Sequence, residues 1–172
     1  MGLKINKLSN ANVYLEGDSL LGQVKEIELP EVVQKMVDHE ALGMVGVIEL
    51  PAGFEKMEGK IMWNSFYKDA FLKIADATAV HKMQLRGNLE TNTSDGLESE
   101  VAYVVYLNVR FKKTPMGNFK QHENVEMESE FSALSMKIEV DGTEILEFDP
   151  TANIYRVNGE DKLSTYRQNI GG

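Results

Sequence analysis

Residues 123–148 read ENVEMESEFSALSMKIEVDGTEILEF, and this stretch decides the fold. Up to Phe131, small or apolar side chains alternate with glutamates, which is typical of a strand with one buried face and one wet, acidic face. The outward carboxylates belong to Glu126, Glu128 and Glu130. The apolar positions are odd-numbered up to Phe131 but even-numbered from Leu134. This change of parity predicts a β-bulge near residues 132–135.

Turn signals and alternation extend the β pattern to the rest of the chain. Asp141-Gly142 predicts a tight hairpin, because both turn positions need positive φ. Asn158-Gly159 predicts a last turn in the same way. Further strands are predicted at residues 12–16 and 19–29 (one hairpin around Gly17-Asp18), 47–50, 57–63, 82–89 and 101–111. Roughly eight or nine strands with such turns are typical of an all-β sandwich or barrel.

Three segments depart from simple alternation. An apolar stripe at helical spacing predicts one α-helix at residues 66–79, which Asn64-Ser65 would cap. Residues 31–42 suit a helix or a strand equally well, because short segments cannot be assigned from periodicity alone. Residues 90–100 are polar and contain Ser94-Asp95-Gly96, which predicts a mobile loop.

The composition bounds the possible functions. The chain has 172 residues, 42% of them hydrophobic, which fits one soluble domain with a sizeable core. No apolar run approaches the ~20 residues of a membrane-spanning helix, and no export signal is visible, so we expect synthesis in the cytoplasm and no membrane insertion. The absence of cysteine removes disulfides and thiolate chemistry. A formal charge of −9 opposes binding to nucleic acid through phosphates.

Gly17-Asp18-Ser19-Leu20 matches the short motif of the GDSL esterases, in which the serine is the nucleophile. That mechanism needs a histidine base held by an acid, and the family places it near the C-terminus. No histidine follows His122 here, so we interpret the motif as a hairpin turn. The three histidines form no metal-binding pair, and we expect no enzymatic activity and no cofactor or metal.

The row of glutamates and the number of predicted strands can each be explained by structure alone or by a function. Three carboxylates along one strand usually form a solvated face, but they also suit a negative lining for a pore or groove. Residues 101–111 carry apolar side chains on both faces, and one helix cannot cover so much sheet. Uncovered sheet edges and faces are commonly hidden by oligomerisation. The residues alone therefore predict a β-rich domain that assembles.

A set of landmarks spread over almost the whole chain resembles the major tail tube proteins of contractile-tailed, P2-type bacteriophages and the tubes of R-type pyocins. In order, the landmarks are Asn12-Val-Tyr-Leu-Glu-Gly17, Gly22-Gln-Val, Glu28-Leu-Pro30, Ala41-Leu-Gly-Met44, Val140-Asp-Gly142, residues 145–149, Val157-Asn-Gly-Glu-Asp161 and Tyr166-Arg-Gln-Asn-Ile-Gly171. Each is weak alone, but the ordered set is specific. Residues 54–60 are rich in charge and do not align with the family pattern.

The resemblance implies a single tail-tube domain over residues 1–172 that forms hexameric rings, stacked into a tube inside a contractile sheath. It implies an extended arm at residues 31–46 that reaches the neighbouring ring, which favours a strand there. The candidate arm residues are Glu31, Val33, Met36, Val37, Leu42 and Met44. It also suggests that Glu126, Glu128 and Glu130 line an acidic bore through which DNA passes without specific binding. The implied partners are the sheath, the tail initiator or baseplate and the tube terminator, in a virion tail assembled in the bacterial cytoplasm.

Other functions are weighed against this one. Close alternatives are the tube of a phage-derived bacteriocin or of a type VI-like secretion system. Distant alternatives are a monomeric β-barrel that binds a ligand in an apolar cavity, and the GDSL-like esterase with Ser19 as nucleophile.

Overall fold

The computed structural model describes residues 2–172 and is mainly β. Its strands are β1 (Lys4–Leu15), β2 (Asp18–Ser19), β3 (Val24–Glu28), β4 (Gln34–His39), β5 (Ile48–Phe54), β6 (Met57–Trp63), β7 (His81–Thr93), β8 (Gly96–Phe111), β9 (Met127–Val140), β10 (Thr143–Asp149), β11 (Ile154–Val157) and β12 (Glu160–Asp161). Two helices, α1 (Lys68–Ala75) and α2 (Ser164–Ile170), complete the described chain.

Ten strands belong to one sheet that branches at β9. The main path runs β12-β11-β10-β9-β8-β7-β1-β2, and β6 joins it through β9 with β3 on its far side. The first half of β9 pairs with β6, from Trp63 opposite Met127 to Met57 opposite Ala133. Its second half pairs with β10. Strands β4 and β5 form a separate two-stranded sheet.

One hydrophobic core contains side chains from both parts of this branched sheet, the main path and the β6–β3 branch. Phe111 of β8 and Phe131 of β9 meet edge to face, with ring centroids 6.1 Å apart, and both are fully buried. Trp63 of β6 donates its indole N–H to the buried Ser129 hydroxyl at 2.8 Å. Helix α1 closes one side by burying Ala70 and Ile74. The core is thus filled by the chain itself.

The structure confirms the predicted bulge and the turns at Asp141-Gly142 and Asn158-Gly159, whereas the first turn lies at Glu16-Gly17 rather than Gly17-Asp18. Strand β8 pairs Asn108 with Ser135 but Val109 with Ala133, so Leu134 is the extra residue of β9. Asp141 and Gly142 have φ of 51° and 75°, as a tight hairpin of this kind requires. Asn158 and Gly159 have φ of 50° and 78°.

The helix prediction was wrong in its bounds, its cap and its number. Helix α1 covers only Lys68–Ala75 rather than residues 66–79, and it begins after Tyr67 with no side-chain cap from Asn64 or Ser65. A second helix, α2, ends at Ile170 and is followed by Gly171 with a positive φ of 80°. The N–H groups of Gly171 and Gly172 donate to the carbonyls of Gln168 and Arg167. The apolar residues before Lys68 lie in an irregular segment. Their spacing alone could not distinguish that segment from a helix.

One strand prediction and one loop prediction also need correction. Of the predicted hairpin partner of β1, residues 19–29, only Ser19 pairs with β1, together with Asp18 just before it. The chain then turns at Gly22, and β3 pairs with β6 instead. Residues 90–100 form no loop: they are the ends of β7 and β8, joined by a turn at residues 94–95. Their polar side chains are tolerated because these strand ends extend beyond the core.

Residues 31–42, which the sequence left between helix and strand, contain strand β4. Strand β5 continues through Pro51 to Phe54, beyond the predicted end at Leu50. We call Gln34–Phe54, made of β4, β5 and the loop between them, the arm. The extended form implied by the resemblance is therefore the one observed.

Candidate assembly surfaces

The predicted acidic row lies at the start of β9, on its outer face. Met127, Ser129 and Phe131 are buried, so the alternating Glu128 and Glu130 point away from the core. Glu126 is exposed and comes just before the strand. The period-two pattern predicted for this stretch is confirmed.

Two lysines from other segments of the chain form ion pairs with these carboxylates. Lys25 Nζ lies 2.6 Å from Glu126 Oε1, and this hydrogen bond is the main cause of a raised Lys25 pKa. Lys113 Nζ lies 3.5 Å from Glu128 Oε1 and 3.8 Å from Glu130 Oε1. Sequence reasoning missed both lysines, because neither belongs to the alternating stretch: Lys25 is 101 residues from Glu126, and Lys113 is 15 residues from Glu128 at the end of the preceding strand. The row is thus an ion-paired surface, and Lys60 of β6 also lies opposite Glu130 in the strand pair.

Glu58 on the neighbouring strand β6 has the strongest electrostatic perturbation on this face. A hydrogen bond from Lys112, and next one from Lys56 at 2.7 Å, lower the pKa of its carboxyl to about 2. The carboxylate is exposed, so the Coulomb attraction is screened by water. Together with the lysines beside β9, it shows that this face alternates in charge.

The arm is exposed along its whole length except at its root. Val37 lies opposite Leu50 and His39 opposite Ile48, so these four side chains share one face of the hairpin. The other face carries Asp38 and Glu49 with Met36 and Pro51. Exposed apolar residues continue at the tip: Leu42, Met44, Val45 and Val47. Nothing in residues 2–172 covers this apolar surface.

The root of the arm is held firmly against the domain. The Phe54 ring packs between Phe148 and Tyr155, at centroid distances of 4.8 and 5.1 Å. The predicted arm residues Glu31 and Val33 precede β4, Met36 and Val37 lie in it, and Leu42 and Met44 lie in the loop. All of them are exposed. The structure therefore places four of the six on the hairpin, while Glu31 and Val33 lead into it, and the hairpin extends to Phe54 rather than ending at the predicted residue 46. Aromatic packing at Phe54 fixes where the hairpin leaves the body.

A second projection is formed by the far ends of three long strands. We call residues 4–10, 87–93 and 96–102 the tongue. Leu8 lies opposite Leu89, and Leu89 lies opposite Val101. Residues 4–10 are exposed throughout. Within residues 2–172, no second layer packs against either face of the tongue, unlike the rest of the sheet.

The GDSL-like motif does not assemble a catalytic pair. Ser19 Oγ accepts hydrogen bonds from Asn12 Nδ2 at 2.9 Å and from the Leu21 N–H at 3.3 Å. The His81 ring is engaged elsewhere, with Glu16 Oε1 at 3.2 Å and the Lys73 carbonyl at 3.0 Å. The motif lies at the β1–β2 turn, where Gly17 has a φ of 85°. This matches the interpretation of the motif as a turn.

A ligand cavity and a metal site were the other candidates. A depression of about 400 Å³ opens on the outer face of the sheet, where Lys82, Gln84 and Lys137 mix with Tyr14 and Tyr106. Its lining is partly charged and the depression lies outside the core. Among residues 2–172, no three His, Asp or Glu side chains are grouped to hold a metal ion. No helix in that range has both the length and the apolar character to cross a membrane.

Comparisons with known proteins agree on one kind of protein. The model of a family described as phage tail tube protein FII matches residues 5–171. The tail tube protein of Escherichia phage P2 is 29% identical over 167 residues, which is 96% of each chain.

Two solved structures share the fold. The sheath/tube terminator of the extracellular contractile injection system PVC has a TM-score of 0.56 at 10% identity, over 76% of this chain and 93% of its own. The sheath–tube complex of the same system has a TM-score of 0.52 at 10% identity, over 76% and 88% of the two chains. At these identities the likeness is one of fold.

Proposed function

This chain belongs to the phage tail tube protein FII family, and we propose that it builds the inner tube of a contractile tail from stacked hexameric rings. The match over 96% of the phage P2 tail tube protein supports the tube role for the whole chain. The likeness to tube components of a contractile injection system supports the same architecture. The tube is a structural conduit, and the chain carries out no catalysis.

The observation that carries this proposal is the exposed apolar arm. A two-stranded hairpin is marginally stable by itself in water, and its apolar face needs a partner. The arm carries Val37, Ile48 and Leu50 on one face, all between 42% and 48% exposed. Identical copies stacked as rings supply a repeated surface for each arm, so the arm reaches the adjacent ring.

The partners follow from the tube role. The sheath surrounds the tube, a terminator ends it, and the initiator or baseplate starts it. The protein resides in the tail of the virion after assembly in the cytoplasm of the host bacterium. DNA passes through the bore during ejection without sequence-specific contacts, consistent with the formal charge of −9.

We further propose that Glu126, Glu128 and Glu130 face this bore. Glu128 and Glu130 point away from the core, and with the exposed Glu126 they form one row of carboxylates at the start of β9. Together with the formal charge of −9 of the whole chain, these carboxylates repel the DNA phosphates and keep DNA from adhering. Changing all three residues to Gln should alter the salt dependence of DNA ejection from tailed particles. Ejection with unchanged salt dependence would rule out this role.

Negative-stain electron microscopy of the purified chain at increasing concentration tests the tube role directly. We expect rings or hollow rods, with rods elongating when tail initiator proteins are added. Light scattering on the same samples measures the concentration at which rods appear. A chain that stays monomeric at every concentration, with and without initiator, would contradict the proposal.

A further inference from the structure

The arm and the loop before β9 lie at opposite ends of strand β6. The arm continues the β3–β6 hairpin beyond the first residue of β6, where the Glu55 N–H donates to the Val33 carbonyl at 2.8 Å. The other end of β6 is Trp63, which pairs with Met127, the residue that follows the loop of residues 112–126. Because a strand rises about 3.3 Å per residue, the two ends of β6 are about 20 Å apart. The arm therefore begins at the end of β6 that lies away from this loop.

Hydrogen bonds connect this loop to two other segments at the same end of β6. Asn124 donates its side-chain N–H to the Asn64 carbonyl at 2.8 Å and accepts a hydrogen bond from the Ser65 hydroxyl at 2.9 Å. Asn64 in turn donates to the carbonyls of Gly22 at 2.7 Å and Gln23 at 3.0 Å. The three segments are thus held together as one surface. The end surface, as we call it, comprises residues 20–23, 64–66 and 112–124.

The most exposed large apolar side chains of residues 2–172 lie in the arm and on the end surface. Leu42 and Val45, in the loop of the arm, are fully exposed. Leu21, Met116 and Phe119 of the end surface come next, at 77%, 78% and 79% exposure. Apolar groups that are exposed in this way mark surfaces that contact another molecule. The domain therefore presents one such surface at each end of β6.

The two surfaces also carry opposite charge. Residues 112–122 read KKTPMGNFKQH, with three lysines and no acid, although the whole chain has a formal charge of −9. The arm has three acids and a single lysine. Asp38 lies directly opposite Glu49 in the arm, and neither carboxylate has an ion-pair partner within residues 2–172. Like charges at directly opposite positions are destabilising, so a cation from another molecule would stabilise the arm.

Two lysines of the end surface are only weakly held within their own copy. Lys113 Nζ lies 3.5 Å from Glu128 and 3.8 Å from Glu130, and Lys120 Nζ lies 3.8 Å from Glu123. Both lysine side chains are substantially exposed. Exposed ion pairs of this kind contribute little to stability. Both lysines are therefore free to pair with carboxylates of another molecule.

We infer that the arm of each copy binds the end surface of a copy in the adjacent ring, an inference that rests on the stacked-ring architecture proposed above. Stacking along an axis joins two different surfaces head to tail, and such contacts repeat without closing. The arm and the end surface meet this condition, because they lie at opposite ends of β6. Their contact covers the apolar side chains of both and brings the acidic arm beside the basic loop. The partner of the end surface is thus a second copy of this chain.

Removing apolar groups from the end surface tests this placement. Met116→Ser with Phe119→Ser should leave rings intact but raise the concentration needed for rods at least about tenfold, because the arm loses the apolar surface that it covers. Both side chains are exposed in the monomer, so its urea midpoint should match that of the parent. Negative-stain electron microscopy distinguishes rings from rods, and sedimentation measures the fraction of chain in each.

The matched control is Leu72→Ser with Val80→Ser, two exposed apolar residues outside the arm and the end surface, and it should stack like the parent. If Met116→Ser with Phe119→Ser also stacks like the parent, the end surface has another partner and the inference is wrong. The inference is equally wrong if this variant keeps its circular dichroism spectrum but forms no rings, because the end surface then acts within the ring. A parent chain that forms neither rings nor rods would instead contradict the proposed function.

A charge exchange tests which two surfaces meet. Deleting exposed ion pairs has little effect, so the charges are reversed rather than removed. Lys113→Glu with Lys120→Glu, and separately Asp38→Lys with Glu49→Lys, should each raise the concentration needed for rods about tenfold through repulsion. All four changes in one chain should restore a nearly parental concentration, because every arm again meets an end surface of opposite charge. Damage within a copy is not repaired in this way, so a quadruple variant no better than either double variant would overturn the inference.

Disulfide trapping tests the contact with its charges and apolar groups intact, since the chain has no cysteine of its own. Ala41→Cys lies in the loop of the arm and Asn118→Cys lies in the end surface, and both positions are exposed. The two ends of β6 are about 20 Å apart, far beyond the roughly 7 Å between Cα atoms that a disulfide within one copy allows. Oxidised rods should therefore give a ladder of cross-linked copies on a non-reducing gel.

The control for trapping pairs Ala41→Cys with Ser99→Cys, an exposed position in the tongue, and should give no ladder. A ladder from this control pair alone would place the arm on the tongue and overturn the inference. Rods of the Ala41→Cys, Asn118→Cys variant that give no ladder would overturn it as well.

Discussion

The buried half of the sheet and its two projections, the arm and the tongue, use similar strand-forming residues in opposite surroundings. Around Phe111 and Phe131, every strand has a neighbour and an apolar layer against it. In the arm, Val37 and Leu50 are exposed to solvent, and in the tongue Ile5 and Leu97 are. Burial of apolar surface stabilises by about 25 cal/mol per Å², so the first region holds the domain together by itself. The two projections gain the free energy of apolar burial only when they contact another copy of the chain.

This difference predicts that changes in the core will unfold the monomer, whereas changes in the projections will affect assembly alone. The strongest test removes the Phe131 side chain, which is fully buried against Phe111 and over Gly59. Phe131→Ala should lower the free energy of unfolding by about 3–5 kcal/mol, because it leaves a cavity as well as losing apolar contact. Urea denaturation followed by tryptophan fluorescence measures this. A loss below about 1 kcal/mol would show that the core does not dominate.

A smaller loss is expected at Gly59 of β6, which lies between Phe131 of the neighbouring strand β9 and the backbone of β3. A Cβ on Gly59 would lie 2.4 Å from Cζ of Phe131 and 2.5 Å from the Glu28 carbonyl oxygen. Gly59→Ala should therefore cost about 1–3 kcal/mol through forced displacement of ring or backbone. Gly46→Ala in the arm loop is the matched control, because nothing lies within 4 Å of its Cβ position. Equal midpoints for both variants would contradict the close packing.

The charged outer face offers a test through pH. The folded pKa of Glu58, lowered to about 2 by Lys112 and Lys56, lies below the ordinary value of 4.5. Its contribution to stability is therefore present above about pH 4.5 and is lost as the pH falls from there towards 2. Glu58→Gln should remove part of this acid sensitivity, so its unfolding midpoint should fall less steeply over that range. A side-chain NMR titration midpoint near 4.5 for Glu58 would show that the lysines do not hold it.

The smallest effect on folding, and the sharpest contrast, is expected in the arm. Changing Val37 and Leu50 together to Ser should shift the free energy of unfolding of the monomer by no more than about 0.5 kcal/mol, because both are exposed. The same variant should not form stacked tubes. Electron microscopy and sedimentation of one preparation measure assembly, and urea denaturation of the same preparation measures stability. Asp38→Ser with Glu49→Ser, on the opposite face of the same hairpin, is the control and should still assemble.

Local rules predicted much of this fold. Alternation around Phe131 placed β9, the change of parity placed the bulge at Leu134, and Asp141-Gly142 placed the hairpin. These features depend on residues adjacent in sequence, through the side-chain period and the φ that each turn residue can adopt. The ordered landmarks likewise pointed to the tail tube family from the sequence alone.

Only the tertiary structure decided which strands pair and which charges meet. Strand β3 pairs with β6 instead of β1, and the polar residues 90–100 lie in strands. Lys25, 101 residues away in sequence, and Lys113, from a different strand end, both pair with the acidic row. No local pattern specifies such contacts. They depend on how distant segments pack into one core, and this packing decides which strands are left to pair with each other. For the same reason, the sequence could indicate an arm, but only the fold could show that arm and tongue project with their apolar surfaces exposed.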